Sequence, residues 1–156
     1  VWERFRLEEI RKLDFNELVS LVVIRRSAEE EADVDELLNA MRDEVRRSRE
    51  AGNRTNPLSS TDFNEGITMY LAGDHEAGLE LIGKAVQDGY FVVVNNPLYQ
   101  ALYDDPGYAP IREAQQARQA RERARFLDVV CGENPYADVW QPLEETCQEL
   151  IALAPE

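Results

Sequence analysis

Four of the eight glycines in this 156-residue chain fall between positions 66 and 83. The apolar residues of that stretch otherwise recur at helical spacing. A single helix through it would carry Gly66, Gly73, Gly78 and Gly83 in its interior, each costing about 1 kcal/mol relative to alanine. Two helices folded back on each other at Ala72-Gly73-Asp74 use these residues instead. Gly73 can take the left-handed turn, Asp74 can cap the next helix, and small side chains let two backbones approach. The pattern in "MYLAGDHEAGLELIGKAV", residues 69–86, therefore predicts a helical hairpin, with one arm over about 61–71 and the other over about 75–87. Phe63, Ile67, Met69 and Tyr70 are the apolar residues of the first arm, and Leu79, Leu81, Ile82, Ala85 and Val86 those of the second.

The rest of the chain reads as helix too. Glycine and proline are absent from the first 51 residues. Phe5, Ile10, Leu13, Phe15, Leu18, Leu21 and Val22 recur at threes and fours, which predicts one helix over about 4–26. Ser27 and Glu30 have capping-box spacing for a second helix with the stripe Val34, Leu37, Leu38, Met41 and Val45, ending at Ala51-Gly52. "NRTNPLSSTD" is a loop. Val92-Val93-Val94 is too short to argue for a sheet. A short helix follows over 98–103, a turn at Asp104-Asp105-Pro106-Gly107, and a long helix to about Val130. Ile111, Ala114, Ala117, Ala120, Ala124, Phe126 and Leu127 are its expected inward residues. A last helix covers 143–153. The expectation is an all-α chain of antiparallel hairpins, folded as a single domain over 1–156 with a C-terminal cap over 134–156.

Composition narrows the function. With 31 acids against 17 bases, the formal charge is −14 and the isoelectric point about 4.5. Such a chain repels phosphate backbones, so nucleic acid is not an expected partner. No apolar stretch approaches the roughly 20 residues that cross a bilayer, and no membrane insertion is expected. His75 is the only histidine, which excludes Ser-His-Asp chemistry outside that residue and any two-histidine metal site within one chain. There is no phosphate-binding glycine loop. The sequence points to no catalytic residue, cofactor or metal.

Residues 59–92 span 34 positions and resemble a tetratricopeptide repeat. The family's first-helix glycine falls on Gly66, and its next large residue on Met69. The small residue at which the two helices cross falls on Gly78, the large apolar position on Ile82, and the last small one on Ala85. Three positions differ: Asp62 stands where the family has tryptophan, Glu65 where it has leucine, and Tyr90 where it has proline. The flanking pairs, about 4–51 and 95–130, have the shape of degenerate repeats, in line with the need of repeat arrays for about three units and atypical caps. "LYDDPGYAPIRE" is similar to the end-repeats that close such arrays in bacterial signalling proteins. The resemblance implies a short αα-superhelix that binds a protein or peptide without catalysis, as part of a larger bacterial regulatory protein, cytoplasmic or periplasmic. Its peptide groove would be lined by Ser60, Phe63, Ile67 and Tyr70. None of these is a lysine, arginine or asparagine of the kind that clamps a terminal carboxylate.

Two further features stand apart from the repeat. Glu29, Glu30, Glu31, Asp33, Asp35 and Glu36 crowd into ten residues, whereas "REAQQARQARERARF" sets Arg112, Arg118, Arg121, Arg123 and Arg125 on a helix with only two acids. Solvated faces account for both. A second reading makes Arg112, Arg118, Arg121 and Arg125 a docking strip for an acidic partner, or for the acidic run of a second copy in a homodimer that positions an attached output domain. A third reading, a small carboxylate enzyme, requires a buried Asp or Glu with a strongly shifted pKa in a cleft. Cys131 and Cys147 are either two reduced core thiols or one disulfide pinning the last helix. Trp2, Trp140, Tyr108 and Tyr136 flank the ends, where aromatic residues dock caps.

Overall fold

Local capping sets where the helices begin and end in the computed structural model, which describes residues 7–10, 12–28, 33–52, 60–92, 96–132, 138 and 144–152. Every regular element among them is helical and the class is all-α. The chain divides into two compact units, residues 1–111 and 112–156.

In the first unit, α1 (Leu7–Ile10) and α2 (Phe15–Ser27) are separate helices, not the single helix that the apolar spacing suggests. The break is made by Asp14. Its carboxylate accepts from the Glu17 N–H at 2.9 Å, and the Glu17 side chain accepts from the Asp14 N–H at 2.7 Å. This reciprocal capping box satisfies two backbone donors and starts a new helix. Of the box expected at Ser27 and Glu30, Glu30 lies outside the described residues. Ser27 is the last residue of α2, its hydroxyl donating to the Val23 carbonyl, a local bond that competes with capping. α3 (Val34–Glu50) begins after Asp33, which sits at φ 71°. Asp33 lies 3.9 Å from the buried Arg25 guanidinium, so an opposite charge accompanies that arginine into the interior.

The hairpin forms where the glycines place it: α4 (Thr61–Leu71) and α5 (His75–Gln87). Ser60 caps α4 by accepting from the Phe63 N–H at 3.1 Å. At its far end Gly73 takes φ 96°, with Gly73 N–H donating to the Tyr70 carbonyl and Asp74 N–H to Met69. That pair of bonds closes the orphan carbonyls in a Schellman ending. Asp74 then accepts from the Ala77 N–H at 3.4 Å to start α5. After α5, Tyr90 donates its own N–H to the Ala85 carbonyl at 2.9 Å, a bond that proline could not make.

A 3₁₀ turn (Pro97–Tyr99), α6 (Gln100–Tyr103) and a second 3₁₀ turn (Pro106–Tyr108) return the chain to the core. The core runs from α1 to this segment. It is built on Ile10, Leu18, Val19 and Val22 of the first two helices, Leu37 and Met41 of α3, Phe63 and Ile67 of α4, Ile82 of α5, and then Leu102 and Tyr108. Aromatic rings knit the return segment in. Phe63 meets Tyr90 at 4.6 Å and Tyr99 at 5.8 Å between centroids, and Tyr103 meets Tyr108 at 5.5 Å. Offset and edge-on pairs at these distances add to burial itself. Burial raises the phenol of Tyr99 to about 12 and raises Tyr90 as well.

The unit boundary falls inside α7 (Ala109–Leu127), after Ile111. In the second unit, α7 runs into a π-helical turn (Asp128–Gly132), and α8 covers Glu144–Ala152. A disulfide joins Cys131 to Cys147, with their Cα atoms 5.7 Å apart. Of the expected inward stripe of α7, Ile111 packs against the core of the first unit and Leu127 is half-buried, but the residues between them are not inward. Ala114, Ala117, Ala120, Ala124 and Phe126 are exposed, and the buried residue is Gln115. An alanine gains little by burial, so a stripe of alanines fixes the orientation of a helix only weakly. Trp2, Trp140 and Tyr136 lie outside the described residues, whereas Tyr108 is fully buried in the first unit.

Candidate functional site: a cleft beside the hairpin

The two arms of the hairpin touch backbone to backbone. A Cβ added at Gly66 would come within 2.7 Å of the Gly78 carbonyl oxygen and 2.8 Å of Ile82 Cγ1. A Cβ at Gly78 would meet the Gly66 carbonyl at 2.8 Å and the Tyr70 backbone nitrogen at 2.8 Å. No side chain larger than hydrogen fits at either position without moving a helix. This crossing fixes how α4 is rotated, and therefore which of its residues face outward.

Ser60, Phe63, Ile67 and Tyr70, the residues that the repeat resemblance places along a groove, are all buried. Phe63 and Ile67 belong to the common core. Tyr70 donates its hydroxyl to Asp105 at 3.0 Å and to the Ala101 carbonyl at 3.1 Å, and its ring stacks on His75 at 4.3 Å. Desolvation, helped by Asp105, raises the Tyr70 phenol to about 12. Tyr70 is thus a fastener between α4 and the return segment. His75, exposed, stacks on it and lies 3.8 Å from Asp105.

The next positions around α4 are Glu65, Thr68 and Met69, with Ala72 capping the helix end. With Arg42 and Val45 of α3 and Asp74 of the turn, these residues line a cleft of about 320 Å³. Buried Val45 and Thr68 and half-buried Met69 sit among charges of both signs at Arg42, Glu65 and Asp74. The volume is at the low end for small-molecule sites, which run from about 300 to 1,000 Å³.

One wall is held by an ion-pair network. Asp62 is buried, accepts from Lys84 of α5 at 2.5 Å and from Arg49 of α3 at 2.9 Å, and Arg49 also holds Glu65. Lys84, then the charge of Arg49, keeps the Asp62 carboxyl below its usual range against the cost of desolvation. Glu65 first, and Asp62 after it, raise Arg49, and Asp62 raises Lys84. Asp62 and Glu65 are two of the three positions that depart from the repeat pattern, and both departures serve this network. Their partners stand 13 to 22 residues away, so nothing local in the sequence marks the network. An acid held ionised is also the opposite of what a proton-donating carboxylate needs.

The strip on α7 is placed less uniformly. Arg121 and Arg125 are exposed, Arg112 and Arg118 half-buried, and Arg118 pairs with Glu122 at 3.4 Å. Of the acidic run, residues 29–32 lie outside the described residues. Among the described residues no group of three or more His, Cys, Asp or Glu has metal-site geometry, and no helix is long and apolar enough to cross a membrane.

Comparison of the chain with protein-family models, with curated proteins and with solved structures gives no match.

Proposed function

We propose that the first unit is a protein-binding module of tetratricopeptide type, acting without catalysis as part of a larger bacterial regulatory protein. The observation that carries this reading is the mutual contact of Gly66 and Gly78. These are two of the three small positions on which the repeat resemblance rests, and they do what such positions do in a repeat, bringing two helices to backbone contact. The binding face is the α3–α4 cleft. Its apolar floor, mixed-charge rim and small volume suit one large apolar side chain of a polypeptide, with neighbouring charges meeting Arg42 and Asp74.

The test is site-specific photo-crosslinking in cells that make the chain, with a photoreactive residue at Met69 and a control at exposed Glu80 of α5. A discrete protein adduct at Met69 that is absent at the control supports the reading. Equal or absent labelling at the two positions overturns it.

A further inference from the structure

The acidic character of the chain is interrupted on α7. From Arg112 to Leu127 this helix holds five arginines and two glutamates, within a chain of formal charge −14. Arg118 is engaged by Glu122. Arg121 and Arg125, one turn apart, meet no carboxylate among the described residues. Phe126 follows directly and is 56 % exposed, and Val129, one turn beyond Arg125, is 38 % exposed. Uncommitted cations and large exposed apolar side chains therefore coincide on one end of one helix. The apolar pair forgoes burial, and the arginines leave cationic charge free to meet an anionic surface.

The complementary group belongs to the same chain. Asp35 and Glu36 are exposed in the first turn of α3, and no cation pairs with them among the described residues. We propose that this end of α7 is a self-association surface on which a second copy docks the acidic start of its α3. Under two-fold symmetry the contact is made twice, with Arg121 and Arg125 of each copy against Asp35 and Glu36 of the other. Phe126 and Val129 are covered alongside. The net negative charges of the two copies are screened beyond about 8 Å at physiological salt, whereas charges at the contact are screened less there and weaken as salt is raised further. Charge complementarity then sets register and rate, and the apolar pair contributes area. This inference stands independently of the cleft, and either can fail without the other.

The experiment is light scattering on the whole chain, disulfide intact, across protein concentrations at low and at high salt. The expected result is a dimer whose dissociation constant rises roughly tenfold or more as salt is added. Arg121→Glu/Arg125→Glu alone is monomeric, and so is Asp35→Arg/Glu36→Arg alone. Mixing the two restores a dimer, because only the mixed pair opposes unlike charges at both contacts. A wild-type monomer at low salt overturns the proposal, as does a dimer unaffected by Arg121→Glu/Arg125→Glu. Failure of the two variants to pair overturns it as well.

Discussion

Gly66 and Gly78 face each other across the hairpin so closely that each would place a Cβ within 2.8 Å of the other's carbonyl oxygen. Changing either to alanine gains up to about 1 kcal/mol of helix propensity. It also forces two backbones apart in a packed core, a kind of overpacking that costs about 1–3 kcal/mol. The clash is with backbone, which has no rotamer to escape to, so the cost wins. Gly66→Ala and Gly78→Ala are expected to lower stability in urea titrations. Gly83→Ala is the control, since its Cβ would meet Ile111 at an ordinary 3.5 Å, and it is expected to be neutral or stabilising.

Acid should undo the ion-pair network first. The folded carboxyl of Asp62 is depressed, chiefly by Lys84, so the unfolded chain binds more protons there and stability rises with pH. The contribution is present above the unfolded value, about 3.9, and disappears as pH falls through the folded one. Asp62→Asn is expected to destabilise at pH 7 and to flatten the loss of stability below about pH 4. Thermal melts of both proteins from pH 2.5 to 7 check this.

Tyr70→Phe removes a hydroxyl that donates to Asp105 and to the Ala101 carbonyl. Bonds to a charged acceptor contribute roughly 1.5–3 kcal/mol. The loss should fall between α4 and residues 97–108, which fasten there. Hydrogen exchange is expected to speed up over 97–108 while the amides of α3 keep their protection.

Reduction should act on the second unit alone. The Cys131–Cys147 bond closes 16 positions of chain, and by loop entropy a crosslink of that span is worth about 3 kcal/mol. Gln115 and Cys147 are the buried side chains among those described in this unit, and the crosslink ties α8 to the end of α7. Limited proteolysis with reductant is expected to cut near residues 144–152 and to leave 60–92 intact. Resistance of α8 under reducing conditions would show that packing outweighs the crosslink.

What was legible in the sequence was local. Gly73 and Asp74 mark the end of one helix and the start of the next, and both arms have the bounds that these residues dictate. Asp14 and Glu17 carry an equally local signal at capping-box spacing, but it was masked by the uninterrupted apolar rhythm around it. The rotation of α4 was not local. It is set by Gly78, Ile82 and the aromatic rings of residues 90–108, which together draw Phe63, Ile67 and Tyr70 inward and leave Met69 beside the cleft. The alanines of α7 were misread because their small size carries almost no directional preference. The two cysteines fit reduced thiols as well as one disulfide, and their proximity becomes visible only once α7 and α8 have definite ends.

Binding of a polypeptide in the α3–α4 cleft is open to direct titration. The segment captured at Met69, made as a synthetic peptide, is titrated into the whole chain and into a Met69→Glu variant whose melting temperature matches. Saturable one-to-one binding is expected, weakened roughly tenfold or more by a charge placed at the apolar floor. Equal affinity for the two proteins, or no saturable binding to either, would contradict it.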